Sequence, residues 1–282
     1  MFSFLDPRKL DEIPAVDKAA QLLLALHYRH LLHEHAPLPS FDEVQFRAFS
    51  QNGEDCILLF LFSVIGTTNK RSVELGAGNG TSCNTANLII NHGWTGLLVD
   101  AALREVEEGR RFYSQHPDTA GHPPTFVHAW LTKENVNQLI QGAGHRGEID
   151  LLSLDLDGND YWVWEALECI SPRAVVLEYR TVWGADRAVT VPYRPDFVGE
   201  RVGGGLDYAG ASLPAFVKLG RMKGYRLVGC ERLCFNAFFL RDGVGQDLFP
   251  EIPASACFSH PAAQHQIAHQ QPLVAEREWI EV

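Results

Sequence analysis

From residue 71 onward, short apolar runs alternate with longer amphipathic stretches. The runs fall at 72–75, 96–99, 125–129, 149–155, 174–178, 225–228 and 236–240. They are near-continuous in Val, Leu and Ile, as strands buried on both faces are. The stretches 82–91, 101–114, 133–141, 161–169 and 212–223 read as helices, with Gly93 and Gly224 as stops. This alternation predicts an α/β fold, a doubly wound, seven-stranded, mostly parallel sheet. Only residues 229–235 separate the last two runs. That is too short for a crossover helix, so these two strands should pair antiparallel.

The first 48 residues look different. Ile13, Val16, Ala20, Leu23, Leu24, Leu26, Leu31 and Leu32 lie roughly on one helical stripe, which Pro37 and Pro39 end. Residues 1–48 are read as an N-terminal helical cap, with two roles open: packing on the main domain, or covering an active-site mouth. A second helix is expected at about 53–65, capped by Ser50 or Asn52, with Glu54 and Asp55 suited to its N-terminus. The main domain is placed at 49–245. Its segment 180–210 contains Trp183, Pro192, Tyr193, Pro195 and three successive glycines. A loop of that length is expected to be functional or mobile. Residues 246–282 form a tail; from Arg241 the chain is rich in His, Gln, Pro and Ala and is expected to be peripheral.

Composition narrows the function. The chain has 282 residues, 46% of them apolar, and a formal net charge of −11 without a run of Lys or Arg. Nucleic acid is excluded as a partner, because phosphate binding needs a basic footprint. Cys230 and Cys234 are four apart, but no second pair completes a zinc site, so the six cysteines read as reduced thiols. Residues 1–10 already include Asp6, Pro7, Arg8 and Lys9, unlike a signal peptide. The longest apolar run, 57–66, is far short of the about 20 residues of a membrane span. A cytoplasmic protein acting on a small molecule is expected, with no membrane partner and a homo-oligomer left open.

The chemistry starts at 71–100. A strand ending Glu74-Leu75 runs into Gly76, Gly78 and Gly80; a helix follows, and the next strand ends on Asp100. In open α/β sheets ligands bind beyond the carboxyl ends of the strands. Glycines let the backbone turn sharply and approach a ligand, and the helix N-terminus offers N–H groups. This arrangement binds a nucleoside. A dinucleotide fingerprint, G-x-G-x-x-G, would need its third glycine one place later. Glu74 would also repel a pyrophosphate, whereas it suits a cationic ligand with an amino group. Asp100, 20 residues past Gly80, can accept both ribose hydroxyls. S-adenosylmethionine (SAM), with its sulfonium and ammonium groups, is such a ligand. A structural glycine turn and a NAD-type cofactor remain the alternatives.

The fourth and fifth strands end in acids, at Asp155, Asp157 and Asp160 and at Glu178. Adjacent strands lie about 4.8 Å apart, so Asp155 and Glu178 are placed to share a hard divalent cation. Asn236 adds a weaker, neutral oxygen. Without metal, Asp155 would meet the SAM amino group while Asp157 and Asp160 cap the next helix. His92 reads as a cap or surface residue and His128 as structural. Tyr179, Trp183, Tyr193 and Tyr208 are candidates for the substrate mouth or for ordinary packing.

The segment Glu74 to Gly80 resembles the first motif of class I SAM-dependent methyltransferases. With SQNGED, VELGAGNGTSCNT, GWTGLLVD and LDLDGNDYWVWEAL, it resembles the FkbM-like methyltransferases. The strand-tip acids resemble those of magnesium-dependent macrocin-type O-methyltransferases, although Tyr179 follows Glu178 where that type has paired acids. The resemblance covers roughly residues 48–240. It implies a Rossmann-like methyltransferase fold, SAM as cofactor, Mg²⁺ or another divalent cation, and O-methylation of a small hydroxylated metabolite or sugar-like natural product. It implies SAM contacts from Glu74, Gly76, Gly78, Gly80, Asn84, Asp100, Ala101 and Asp155, and catalytic roles for Asp155, Asp157 and Glu178. Adenine would lie against the end of the third strand, where Trp130 either stacks on it or fills the core. Three other readings stand beside this one. SAM could serve another alkyl transfer or a cyclisation. Leu154 to Asn159 resembles the DxDGT motif of haloacid-dehalogenase phosphatases, but three strands precede it and no GDxxxD follows. The third is an interaction module using the N-terminal helices.

Overall fold

The computed structural model describes residues 17–202 and 205–282. The predicted helix over 11–35 therefore lies partly outside the described residues. Its described part is α1 (Lys18–His33), which Asp17 caps by accepting from the Ala19 N–H at 2.7 Å. A single turn, α2 (Phe41–Val44), carries a Ser40–Glu43 capping box. Next come α3 (Glu54–Ile65), β1 (Arg71–Leu75), α4 (Ala86–His92), β2 (Thr95–Asp100), α5 (Leu103–Gln115), β3 (Thr125–His128), α6 (Val136–Gly142), β4 (Gly147–Leu154), α7 (Asp160–Ala166) and β5 (Ile170–Glu178). Three short strands follow, β6 (Val189–Thr190), β7 (Glu200–Val202) and β8 (Gly205–Tyr208). The chain closes with α8 (Leu213–Met222), β9 (Tyr225–Cys230), β10 (Asn236–Arg241), α9 (Pro261–Val274) and β11 (Ile280–Glu281).

The main sheet has seven strands in the order β3-β2-β1-β4-β5-β10-β9. β10 runs antiparallel between β5 and β9, and the pairs among the other five are parallel. This is the Rossmann-like methyltransferase fold, and each predicted strand is present. Two-residue periodicity divides the core. Leu97, Val99, Leu152, Leu154, Val175 and Leu177 face α6, α7 and α8. Leu98, Leu151, Ala174, Val176 and Phe238 face α1, α3, α4 and α5. Strand order reverses between β1 and β4, so the tips of β1, β2, β4 and β5 open onto one crevice.

Three expectations change. The N-cap position of α3 is Gly53, without a side-chain bond; Ser50 serves the helix start from three residues earlier, its hydroxyl accepting from the Asp55 N–H at 3.2 Å, whereas Asn52 does not cap it. Asp55 instead folds the preceding loop, accepting from the N–H groups of Ala48, Phe49 and Ser50 at 2.6–2.9 Å. The segment 180–210 is built rather than loose. A 3-10 turn at Thr181–Trp183 and the short strands pack Val182, Trp183, Val189, Val191, Phe197 and Tyr208 into a third apolar cluster with Val274. The stretch expected to be peripheral closes that cluster. β11 pairs with β6, Trp279 packs edge-on against Trp183 and Tyr208, and Cys257 and Phe258 enter the main core. Among the described residues no helix is long and apolar enough to cross a membrane, and all six cysteines are free.

Candidate active site

The crevice holds a cavity of about 670 Å³, walled by β1, β2, β4 and β5 tips and by the segment before α3. Glu74, Gly76, Gly78, Asn84, Asp100, Ala101, Trp130, Asp155, Asp157, Glu178 and Asn236 all line it. Gly80 does not, although it was expected to contact the cofactor. A Cβ there would come within 2.9–3.1 Å of Leu98, Phe126 and Tyr113, and its carbonyl accepts from the Tyr113 hydroxyl at 2.6 Å. Gly80 is small because the core behind the turn is full. Gly76 (φ +87°) is glycine for a similar reason, since a Cβ would fall 1.7 Å from the Asp155 carbonyl oxygen. Only Gly78 (φ +55°) has open space beside it, as close approach by a ligand requires.

Glu74 is 2% exposed. Its carboxylate accepts from the Asn84 N–H at 3.0 Å, the Thr85 N–H at 2.8 Å and the hydroxyls of Ser153 and Thr85. These two N–H groups lie just ahead of the helix after the turn, which starts at Ala86. A protein carboxylate already holds them. Asp100 ends β2 half-buried and fixes the turn, with Oδ2 accepting from the Gly78 N–H at 2.7 Å and Oδ1 from the Ala102 N–H at 2.8 Å. Each oxygen keeps lone-pair capacity toward the cavity. Trp130 is 46% exposed, and its indole N–H donates to the Pro195 carbonyl at 2.6 Å. Filling the core is therefore not its role.

The acidic side is crowded. Single oxygens of Asp155, Asp157 and Glu178 lie within 4.8 Å of one another. Burial and the Glu178 carboxylate push Asp155 well above the usual carboxylate range. Burial and neighbouring aspartates push Glu178 up to about 7 despite Arg180. Arg180 reaches both ends of the cluster: its Nη2 lies 2.7 Å from Glu178 Oε2 and 2.8 Å from Asp157 Oδ1. Asp160 is spent on the loop, accepting from the Leu156 and Gly158 N–H groups at 2.7 and 2.9 Å. Asp157 does not cap α7; it sits at φ +53° with its side chain turned to Arg180. Asn236 is paired with Glu178 in the β10–β5 register. Its amide donates to Glu54 at 2.8 Å, while its Oδ1 is buried without a partner.

The chain is similar in structure to magnesium protoporphyrin IX methyltransferase from Synechocystis PCC 6803 with bound SAM, at 14% identity and a TM-score of 0.43, over 67% of this chain and 78% of that one. It is also similar to the CcbJ methyltransferase from Streptomyces caelestis, at 15% identity and a TM-score of 0.41, over 64% and 87%. A third is the glycopeptide N-methyltransferase MtfA, at 13% identity and a TM-score of 0.37, over 63% and 90%. No protein-family model and no curated protein matches the chain.

The aromatic candidates for the substrate mouth fall elsewhere. Tyr179 is buried with its hydroxyl on the Cys257 carbonyl at 3.0 Å, Trp183 and Tyr208 fill the third cluster, and Tyr193 bonds Glu134. Phe197 and Phe235 line the cavity instead. His92 is not a free base; its Nε2 meets Gln21 at 2.8 Å, and burial with nearby lysines lowers it to about 4. His128 holds the Ala101 carbonyl through Nε2. No described residue before Arg47 lines the cavity, and α1 packs on α3 through Tyr28 and Phe60 rather than over the mouth. Sequence reasoning missed Arg180. The signal was its place two residues after Glu178, which puts both side chains on one side of an extended chain.

Proposed function

We propose that the chain is a SAM-dependent methyltransferase whose acceptor is a small hydroxylated molecule. The observation that carries this is Glu74: a buried carboxylate accepts from the Asn84 and Thr85 N–H groups between the glycine turn and α4, placing negative charge where a pyrophosphate would be repelled. Asp100 would take the ribose hydroxyls, Gly78 and Ala101 would adjoin the nucleoside, and Trp130 would lie on adenine. Asn84 borders the amino-acid end, and Asp155 would face the ammonium group. Arg47, Gln51 and Asn52 give the acceptor a polar wall. In the reaction the acceptor oxygen bonds to the methyl carbon as the sulfur–methyl bond breaks, and its electron pair returns to sulfur. The hydroxyl proton passes to the carboxylates of Asp155, Asp157 and Glu178. Catalysis is mainly positioning and charge placement. The methyltransferase unit would comprise residues 49–245, in a cytoplasmic protein.

Hard oxygens from Asp155, Asp157, Glu178 and Asn236 are the donor types that Mg²⁺ takes. With Arg180 against two of these carboxylates the set does not fit a divalent cation, and no step is routed through one. Calorimetry with SAM tests the reading. Wild type should bind, and Asp100→Ala should weaken binding about tenfold or more. No binding by wild type, or the same affinity for the variant, would sink it. Mass spectrometry of turnover mixtures separates methyl transfer, which releases S-adenosylhomocysteine, from other alkyl transfer.

A further inference from the structure

We propose that Arg180 is the resident counter-cation of the strand-tip acids, standing in for a divalent metal, so that the site works without one. Four carboxylates gather where β4 and β5 end: Asp155, Asp157, Asp160 and Glu178. Crowding of this kind is relieved by protons and by positive charge, which a metal or the chain can supply. Here the chain supplies it. One guanidinium nitrogen lies 2.7 Å from Glu178 and 2.8 Å from Asp157, within charge-assisted hydrogen-bond distance of both.

The guanidinium is built in rather than draped over the surface. The Arg180 side chain is only 11% exposed, and its backbone N–H donates to the Ala211 carbonyl at 2.8 Å. Gly210 borders the same spot, where a Cβ would meet Arg180 Nε at 3.6 Å and Asp160 Oδ2 at 3.7 Å. Burial works against the charge, but Glu178, Asp157, Asp155 and Asp160 outweigh it and hold Arg180 cationic.

A divalent ion bound here would sit about 2.0–2.6 Å from the carboxylate oxygens. Two of these carboxylates already contact Nη2, so metal and guanidinium would lie within a few ångströms of each other and repel. The two cations exclude each other. The role assigned to Arg180 builds on the methyl-transfer reading, whereas its test uses metal alone and leaves the donor out.

The probe is Mn²⁺, titrated into chelator-stripped full-length protein and followed by the electron paramagnetic resonance of the free ion. Wild type should show no saturable site, and Arg180→Met should bind one equivalent at least about tenfold more tightly than wild type. Adding Glu178→Gln or Asp155→Asn to Arg180→Met should remove that site. One-equivalent binding by wild type that Glu178→Gln abolishes would overturn the proposal, as would a folded Arg180→Met that binds no Mn²⁺. Circular dichroism reports the fold of the variant. If it does not fold, the wild-type titration decides alone: a Glu178-dependent site refutes, and its absence supports. Failure of SAM binding would leave these outcomes unchanged, so the two readings fail separately.

Discussion

β4 carries one buried acid, Asp150, and a half-buried one, Asp155, follows its C-terminal end; the two live in opposite environments. Asp150, at the N-terminal side, accepts from the N–H groups of Thr68, Asn69 and Lys70 at 2.6–3.0 Å and pairs with Arg173 at 2.9 Å. Burial opposes its charge, yet these donors hold it below the usual carboxylate range. Asp155, just past the C-terminal end, faces Glu178, Asp157 and Asp160 and is pushed far upward. The first acid is fully spent on the fold, stapling the loop before β1 to β4. The second is crowded by its own kind, beside an arginine that pairs with its neighbours Glu178 and Asp157. One strand thus joins an acid spent on the fold at one side to an acid at the cavity on the other, where open α/β sheets place their ligand crevice.

Four experiments would break or sharpen that contrast. Asp150→Ala should cost about 3–5 kcal/mol in denaturant unfolding, because Arg173 and three backbone N–H groups lose a buried partner. A loss below about 1 kcal/mol would remove the distinction between the two ends. Asp155→Asn should do the reverse, leaving stability equal or slightly raised while turnover falls about a hundredfold. A variant with unchanged turnover would show that the crowded acid does no chemistry.

The third experiment is pH dependence. Folded Glu178 keeps its proton up to about pH 7, whereas the unfolded chain releases it near the ordinary value of 4.5. Its contribution to stability is complete below that value and is lost as pH rises toward 7. His92 has the opposite sign. Its folded value of about 4 lies below the ordinary 6.5, so stability falls as pH drops from about 6.5 toward 4. Melting curves of Glu178→Gln should lose the alkaline-side decline, and those of His92→Gln the acid-side one. The smallest effect is expected of Trp130→Phe. It removes one exposed hydrogen bond to Pro195, costing about 0.5–1.5 kcal/mol at most, and tests whether the rim of the cavity tolerates change.

The glycine-turn side of the cavity was largely legible in the sequence because it is local. Glu74, Gly76, Gly78 and Asp100 sit on one strand–turn–helix–strand unit, and their spacing alone brings them to one crevice. Gly80 was misjudged because a glycine forced by Tyr113, Phe126 and Leu98 looks the same in sequence as one forced by a ligand. The opposite side, around Asp155, Glu178 and Asn236, is assembled from distant pieces. Asn236 meets Glu54 across the whole domain, and Phe197 arrives from the 180–210 segment. Arg180 was legible as a position but not as a partner, since what it pairs with depends on how the loop after β4 turns at Asp157. The mouth aromatics were misplaced for a related reason. Tyr179, Trp183 and Tyr208 are drawn inward by Cys257, Phe258, Val274 and Trp279, more than 60 residues downstream.

The sequence by itself determined the layered α/β architecture, the antiparallel end of the sheet and the glycine turn flanked by Glu74 and Asp100. Those follow from periodicity and short-range spacing, which local backbone geometry converts directly into shape. Only the tertiary structure decided what each charge is for. Glu74 and Asp150 became anchors, and Asp155 and Glu178 a crowded pair. Arg180 became their counter-cation. A carboxylate's role depends on the donors and charges within a few ångströms of it, and those neighbours come from parts of the chain whose separation in sequence carries no record of their meeting.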